Sequence, residues 1–356
     1  MAVEPVSVDN YLQAESDYYM DKFVQQGALG KFSHMRNVSI VNMSAASAPT
    51  HGQDVIRQNR DTLYSRVILD LTVDAVVLFP QMGGRFASLA FHSETHDCFP
   101  SAYDSGRYRM SMNGCSCGPP CRTVEPSGEV CTAFGTRYAI IRIRTLVDPD
   151  NATDMQAAHN SQDAWQVEQE TPGRWEVPAW NQTELTHTRG LLLELKRTST
   201  APTTYGLFSG PEHIDHLYGI IYVAAGWGGV QPVDQTYVGW FSPPGFQEQW
   251  TVMVPEVPLE AHGFWSITVY NQEGFMFALP SNYNSAVQGP GGLNPDGSTT
   301  VFFGGCEEPA RQQPSSSHCL PIKPGWNLVY RFFRPSKAIL DGSWVAPEPV
   351  AGGLVV

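Results

Sequence analysis

The 356-residue chain carries 22 basic and 35 acidic side chains, for a formal net charge of −13 and a pI near 5.1. No basic stripe with interleaved aromatics offers a surface to nucleic acid or to an anionic membrane, and no apolar run approaches the roughly 20 residues of a bilayer-spanning helix. Charged residues make up only 16%, while Gly (32) and Pro (27) are plentiful, which suits a loop-rich β protein better than a helical bundle.

Residues 8–27 predict a helix. Ser7 or Asp9 can cap it, Gly27 stops it, and Tyr11, Ala14, Tyr18 and Phe23 fall near one face. Small polar residues from Asn37 to Gly52 read as a connector. From Asp54 to about Asp148 the runs "VILDLTVDAVVLFP", "GGRFASLAFH" and "TRYAIIRIRTLV" predict the strands of a sandwich. Helical spacing then appears in "DPDNATDMQAAHNSQDAWQVEQE" and "NQTELTHTRGLLLELKR", and "PEHIDHLYGIIYVAAGWGG" predicts a third helix ending at glycines. After Tyr237 the β signals return in "QWTVMVPEV", "GFWSITVYNQEGFMFAL", "STTVFFGG" and "WNLVYRFFRP". The expected organisation is a helical arm (1–45), a first β-sandwich (46–150), a helical middle segment (151–236) and a C-terminal β domain (237–356). This is a mainly β chain with helical segments, of α+β class, with a boundary within 230–244.

The seven cysteines are clustered, five between Cys98 and Cys131 and two at Cys306 and Cys319. Asn37, Asn42, Asn151 and Asn181 each head an Asn-x-Ser/Thr sequon. Together these features point to an oxidising, secreted or extracytoplasmic setting, although the chain as given starts without a signal peptide. Cys306 and Cys319 bracket a Pro/Ser/Gln-rich loop between strands, where a disulfide is expected. Of the other five, Cys98, Cys115, Cys117, Cys121 and Cys131, one must stay unpaired or bond another chain. Their connectivity is open.

Several stretches together resemble the bacterial proteins in which domain of unknown function 1254 is joined to domain of unknown function 1214. They are "QAESDYYMDKFVQQGALGKFSHMR", "VIRQNRDTLYS", "GTRYAIIRIRTLVDP", "AAGWGG", "GFWSITVYNQEGF" and "LPIKPGWNLVYRFFRPSKAILDGSW". The resemblance implies an immunoglobulin-like β-sandwich followed by a jelly roll, and it implies no chemistry. The family pattern matches Asn59 to Ser65, His34, Arg36, His96 and His216, but not His92 or His213. This chain departs from it by two cysteine-bearing insertions, "NGCSCGPPCRTVEPSGEVC" and "CEEPARQQPSSSHC".

The polar stretch "VIRQNRDTLYS" carries the first candidate site. Arg57, Asn59 and Asp61 share one face of an extended run, and Arg60 lies on the other. Burying such groups is unfavourable by several kcal/mol unless they are partnered, so they either line a polar cavity with Tyr64 or form a structural ion-pair network. His96 and His216 are candidate general bases, and satisfied or solvent-facing histidines are the plain alternative. His213 and His216 have the i,i+3 spacing of metal ligands, with Glu94, Asp97 and Asp215 as further donors. Neither His spacing is a zinc signature, so no metal and no cofactor is assigned. The glycines of "AAGWGG" follow a helix rather than open one, which excludes a phosphate loop and leaves Trp227 packed or stacking on a ligand. Trp265 and Tyr270 are jelly-roll core residues or sugar-stacking platforms. His34 and Arg36 fold back on a cavity or hold the arm against a neighbouring subunit.

Three functions fit. The first is an acid/base hydrolase or lyase acting on a small molecule or glycan. Asp61, His96, His216 and Tyr64 would carry the chemistry, and Arg57, Asn59, Arg60, Trp227, Trp265 and Tyr270 would bind the ligand. The others are a non-catalytic glycan- or ligand-binding protein, and a structural homo-oligomer assembled through the N-terminal arm.

Overall fold

The computed structural model describes residues 3–38, 57–199, 216–245, 247–277, 281–288, 293–308 and 318–352. Asn42, His213 and Asp215 lie outside them. The chain is mainly β and divides into two compact units. The first is made of Met1–Arg36, Leu63–Leu146 and Met155–Asp234, the second of Asn37–Thr62, Val147–Asp154 and Gln235–Val356.

In chain order the first unit contains β1 (Val3–Glu4), α1 (Tyr11–Gln25), β2 (Ser33–His34), β3 (Thr62–Asp70), β4 (Ala75–Phe79) and β5 (Ala87–Ser93). It continues through β6 (Cys98–Ala102), β7 (Gly106–Ser111), β8 (Cys121–Val124), β9 (Val130–Ala133) and β10 (Tyr138–Leu146). Then come α2 (Ala152–Asp163), which enters this unit at Met155, β11 (Gln166–Gln169), β12 (Ala179–Trp180), α3 (Gln182–Thr198) and α4 (His216–Gly226). Its two five-stranded sheets have the orders β2-β3-β10-β5-β6 and β11-β4-β7-β9-β8, and β1 pairs in parallel with β12. Val67, Leu69, Val77, Phe91, Met110, Ile141 and Ile143 form a core drawn from both sheets.

Alternation along β10 decides what faces that core. Ala139, Ile141 and Ile143 do, so Ile140, Arg142 and Arg144 point from the opposite face. Met20 of α1 packs on Ile68, Tyr138 and Ile140 of that opposite face. The helix starts at Tyr11 rather than near residue 8, because Asn10 is spent on a preceding turn: its Oδ1 accepts from Ser7 N at 2.9 Å. Gly27, at φ 83°, ends it as expected. Tyr11 and Ala14 are fully buried against Leu185, Leu192 and Ile221, so the apolar face of the arm is covered within its own unit.

The second unit holds β13 (Gln235–Phe241), β14 (Trp250–Val254), β15 (Leu259–Tyr270), β16 (Asn282–Asn284) and β17 (Thr299–Phe303). It ends with β18 (Cys319–Leu320), β19 (Asn327–Pro335), α5 (Lys337–Leu340) and β20 (Val350–Ala351). The sheets β13-β19-β15-β16 and β18-β17-β14-β20 share a core that includes Val252, Ile267, Val301, Phe303, Leu328 and Phe332. Trp265 and Tyr270 correct the sugar-stacking reading, since burial leaves no ring face for a ligand. Trp265 is 6% exposed against Tyr283, and Tyr270 is fully buried with its hydroxyl donating to the Gln58 carbonyl at 2.8 Å.

Cys306 and Cys319 form the expected disulfide. Cys115 pairs with Cys131 and Cys117 with Cys121, which leaves Cys98 free and buried. Among the described residues no helix is long and apolar enough to cross a membrane. Two sequon asparagines serve as helix caps. Asn181 Oδ1 accepts from Thr183 N and Glu184 N at the start of α3. Asn151 Oδ1 does the same for Thr153 N and Asp154 N before α2.

Candidate functional site

The polar stretch turns inward, within the second unit. Asp61 is fully buried: its carboxylate accepts from Ser266 Oγ at 2.6 Å and from Asn282 Nδ2 and Asn284 Nδ2, each at 2.9 Å. Arg60, 2% exposed, donates to Asn282 Oδ1 and to Asp150 Oδ1. Asn59 Oδ1 accepts from Asp61 N at 2.6 Å, and its Nδ2 donates to Thr62 Oγ1. Arg57, in the left-handed region at φ 54°, donates to Asn327 Oδ1 with its guanidinium over the Phe241 ring. Arg331 closes the network by donating to the Arg57 carbonyl and the Tyr270 hydroxyl. This is a latch: Arg57, Asn59, Arg60 and Asp61 each meet at least one partner, although Arg60 Nε has no acceptor among the described residues, and the extended segment is fastened to β15, β16 and β19.

Tyr64 lies past the latch, on β3, and belongs to a different cluster. On the outward face of β10, Arg142 and Arg144 are 9% and 6% exposed. The Arg144 guanidinium sits 5.6 Å over the Tyr64 ring, and that of Arg142 lies 5.8 Å over Trp227. Opposite them on β5 stand Ser88 and Ala90, whose short side chains crowd neither arginine. Arg142 Nη2 donates to the Gly228 carbonyl. His92 Nε2 lies 2.6 Å from the Gly229 carbonyl, which assigns its proton to that nitrogen; Arg142 Nη2 therefore meets it, at 3.2 Å, as a second donor. Arg142 Nε has no acceptor among the described residues.

The electrostatics match. Burial, then the charge of Arg144, pushes the Arg142 guanidinium down to about 9, and the groups that oppose this are Cys98 and Tyr64 rather than a carboxylate. His96 is 3% exposed at φ 65°, and its Nε2 accepts from Gly228 N at 2.7 Å. Burial, then Arg142, lowers it to about 3, so it is neutral at pH 7. His92 is lowered well below its ordinary value by the same two causes.

The structure thus gathers Tyr64, His96 and Trp227 around two buried arginines. His216 is not among them: it is exposed at the first residue of α4 and corrects the paired-histidine reading. Trp227 stacks on Tyr19 at 4.7 Å and donates from Nε1 to Ser16 Oγ. His34 Nδ1 meets Ser65 Oγ at 2.7 Å and Arg36 pairs with Asp163 of α2, so both side chains are engaged inside the unit. Sequence reasoning missed Arg142 and Arg144. Their signal was present in "YAIIRIRTLV", where arginine takes alternate places in an otherwise apolar central strand.

Residues 38–169 match the family model DUF1254, a protein of unknown function, and residues 246–337 match DUF1214, also a protein of unknown function. The crystal structure of the VPA0106 protein from Vibrio parahaemolyticus is similar, with a TM-score of 0.71 at 15% identity over 97% of this chain and 98% of that one. A protein of Burkholderia cenocepacia gives a TM-score of 0.51 at 11% identity over 96% of this chain and 86% of that one. At these identities the likeness is one of fold alone. No curated protein matches the sequence. With both models matched in order along the polypeptide, the chain belongs to the tandem family in which DUF1254 is followed by DUF1214.

Proposed function

We propose that the first unit binds a small anionic molecule whose oxyanion group, a carboxylate, phosphate or sulfate, is held by Arg142 and Arg144 beside Tyr64 and Trp227. The observation that carries this reading is the buried Arg142 guanidinium. It has no carboxylate among the charges that shift it, and its Nε lacks an acceptor among the described residues. An uncompensated buried charge disfavours the fold by several kcal/mol, and an arriving anion offsets that cost.

Binding is favoured over acid/base turnover because the two buried groups read as proton carriers, His96 and Asp61, are occupied. The Nε2 of His96 is engaged by Gly228 N, and Asp61 accepts three side-chain hydrogen bonds. The three disulfides support an extracytoplasmic setting, and the paired sheets support the immunoglobulin-like and jelly-roll descriptions of the two units.

Thermal denaturation of the wild type and Arg142→Met in the presence of citrate, phosphate or sulfate tests the proposal. At least one anion should raise the melting temperature of the wild type and leave that of the variant unmoved. Equal shifts in both proteins, or none in either, sink the idea.

A further inference from the structure

A cleft of about 530 Å³ opens in the first unit between α1 and residues 177–182. We propose that it binds a neutral, polyhydroxylated ligand of saccharide type. The volume lies in the ordinary range for small-molecule sites. Trp180 lines it, half-buried, with its indole N–H tied to Asp17 Oδ2 at 2.7 Å, which fixes the ring. An immobilised aromatic ring beside polar groups suits the apolar face of a pyranose.

Asp21, Gln25 and Gln182 line the same walls with hydrogen-bonding groups. Asp21 holds Trp175 Nε1 at 3.0 Å with one oxygen and Gln25 Nε2 at 2.6 Å with the other, so its position is set before a ligand arrives.

Charge balance favours a neutral occupant. Lys22 offsets Asp21 across the lining. Asp17, 1% exposed, lies against Glu94, and its Oδ1 has no donor among the described residues. Two ionised carboxylates offer each other only acceptors, and a proton between them supplies the missing donor. Burial, followed by the charge of Glu94, accordingly raises Asp17 to about 8, which leaves it uncharged at neutral pH. The cleft is thus polar without a dominant charge, unlike the arginine face of β10.

The test is titration calorimetry of the full chain with cellobiose, maltose, lactose and N,N′-diacetylchitobiose, each to about 10 mM, a range that detects millimolar dissociation constants. At least one sugar should bind saturably. Trp180→Leu should weaken it about tenfold and the exposed Gln182→Ala a few-fold, a loss typical of a central aromatic and of a rim contact respectively. Should Trp180→Leu fail to fold, Gln182→Ala decides alone. Arg142→Met should leave sugar binding unchanged, so this site and the anion site stand or fall separately. The proposal is overturned if none of the four sugars binds, or if binding survives undiminished in every folded variant.

Discussion

Gly228 lies directly over Arg142. A Cβ on this residue would overlap Nη1 and stand 2.8 Å from Cζ, and the glycine holds φ at +81°. Backbone and guanidinium therefore occupy a space that an alanine does not permit. Gly228→Ala should destabilise the protein by about 2 kcal/mol or more, combining left-handed strain with displacement of the arginine. Urea denaturation checks this, and anion-induced stabilisation should vanish with it.

Arg142→Met should keep or raise the melting temperature in the absence of ligand. A methionine fills similar volume without an unpaired charge, and such replacements of buried ionic groups are often neutral or stabilising. A strongly destabilised variant would make Arg142 a structural residue that holds the Gly228 carbonyl.

Asp61→Asn should weaken the fold by about 1–3 kcal/mol, because it removes the carboxylate charge that favours Arg331 and turns the oxygen that accepts from Ser266 into a donor, while its remaining oxygen can still accept from Asn282 and Asn284. Chemical denaturation measures the loss. Anion binding by whatever remains folded should be unaffected.

Stability should respond to pH in two opposed ways. Asp17 is raised from 3.8 to about 8, so the folded chain holds a proton that the unfolded chain has released. Its contribution is present at low pH and is lost as the pH rises towards 8. His96 is lowered from 6.5 to about 3, so stability also falls as the pH drops below 6.5. Between pH 6.5 and 8 the Asp17 slope acts without that of His96, at no more than about 1.4 kcal/mol per pH unit. Denaturation curves across this window should flatten in Asp17→Asn.

Cys98 should resist iodoacetamide in the native protein, because it is fully buried and burial pushes its thiol up to about 12. Mass spectrometry should show one alkylated cysteine only after unfolding. Replacing Cys306 and Cys319 together by serine should reduce stability by roughly 3 kcal/mol on the chain-entropy account of a 13-residue separation.

Much of the architecture was legible in the primary structure because it rests on short-range rules. Gly27 marks the end of α1, the β signal of "GFWSITVY" corresponds to the second half of β15, and Cys306 is bridged to Cys319. The candidate site was legible only in part. "VIRQNRDTLYS" advertises costly polar groups, but whether they meet water or Asn282 and Asn284 depends on strands more than 200 residues away. Arg142 was hidden for the converse reason: an arginine in a strand reads as solvent-facing unless one knows that Trp227 and Gly228 cover it. Asp17 was passed over within a helical pattern, since nothing local foretells Glu94 as its neighbour.

The cap at Asn181 changes how a routine sugar-attachment experiment must be interpreted. Oligosaccharyl transfer uses Nδ2 and leaves Oδ1 on the first turn of α3, so a glycan and the cap are compatible. An Asn181→Gln control, made only to remove the sugar, would unfasten a helix as well. Any loss of folded protein in that control would then report on the helix cap as much as on carbohydrate.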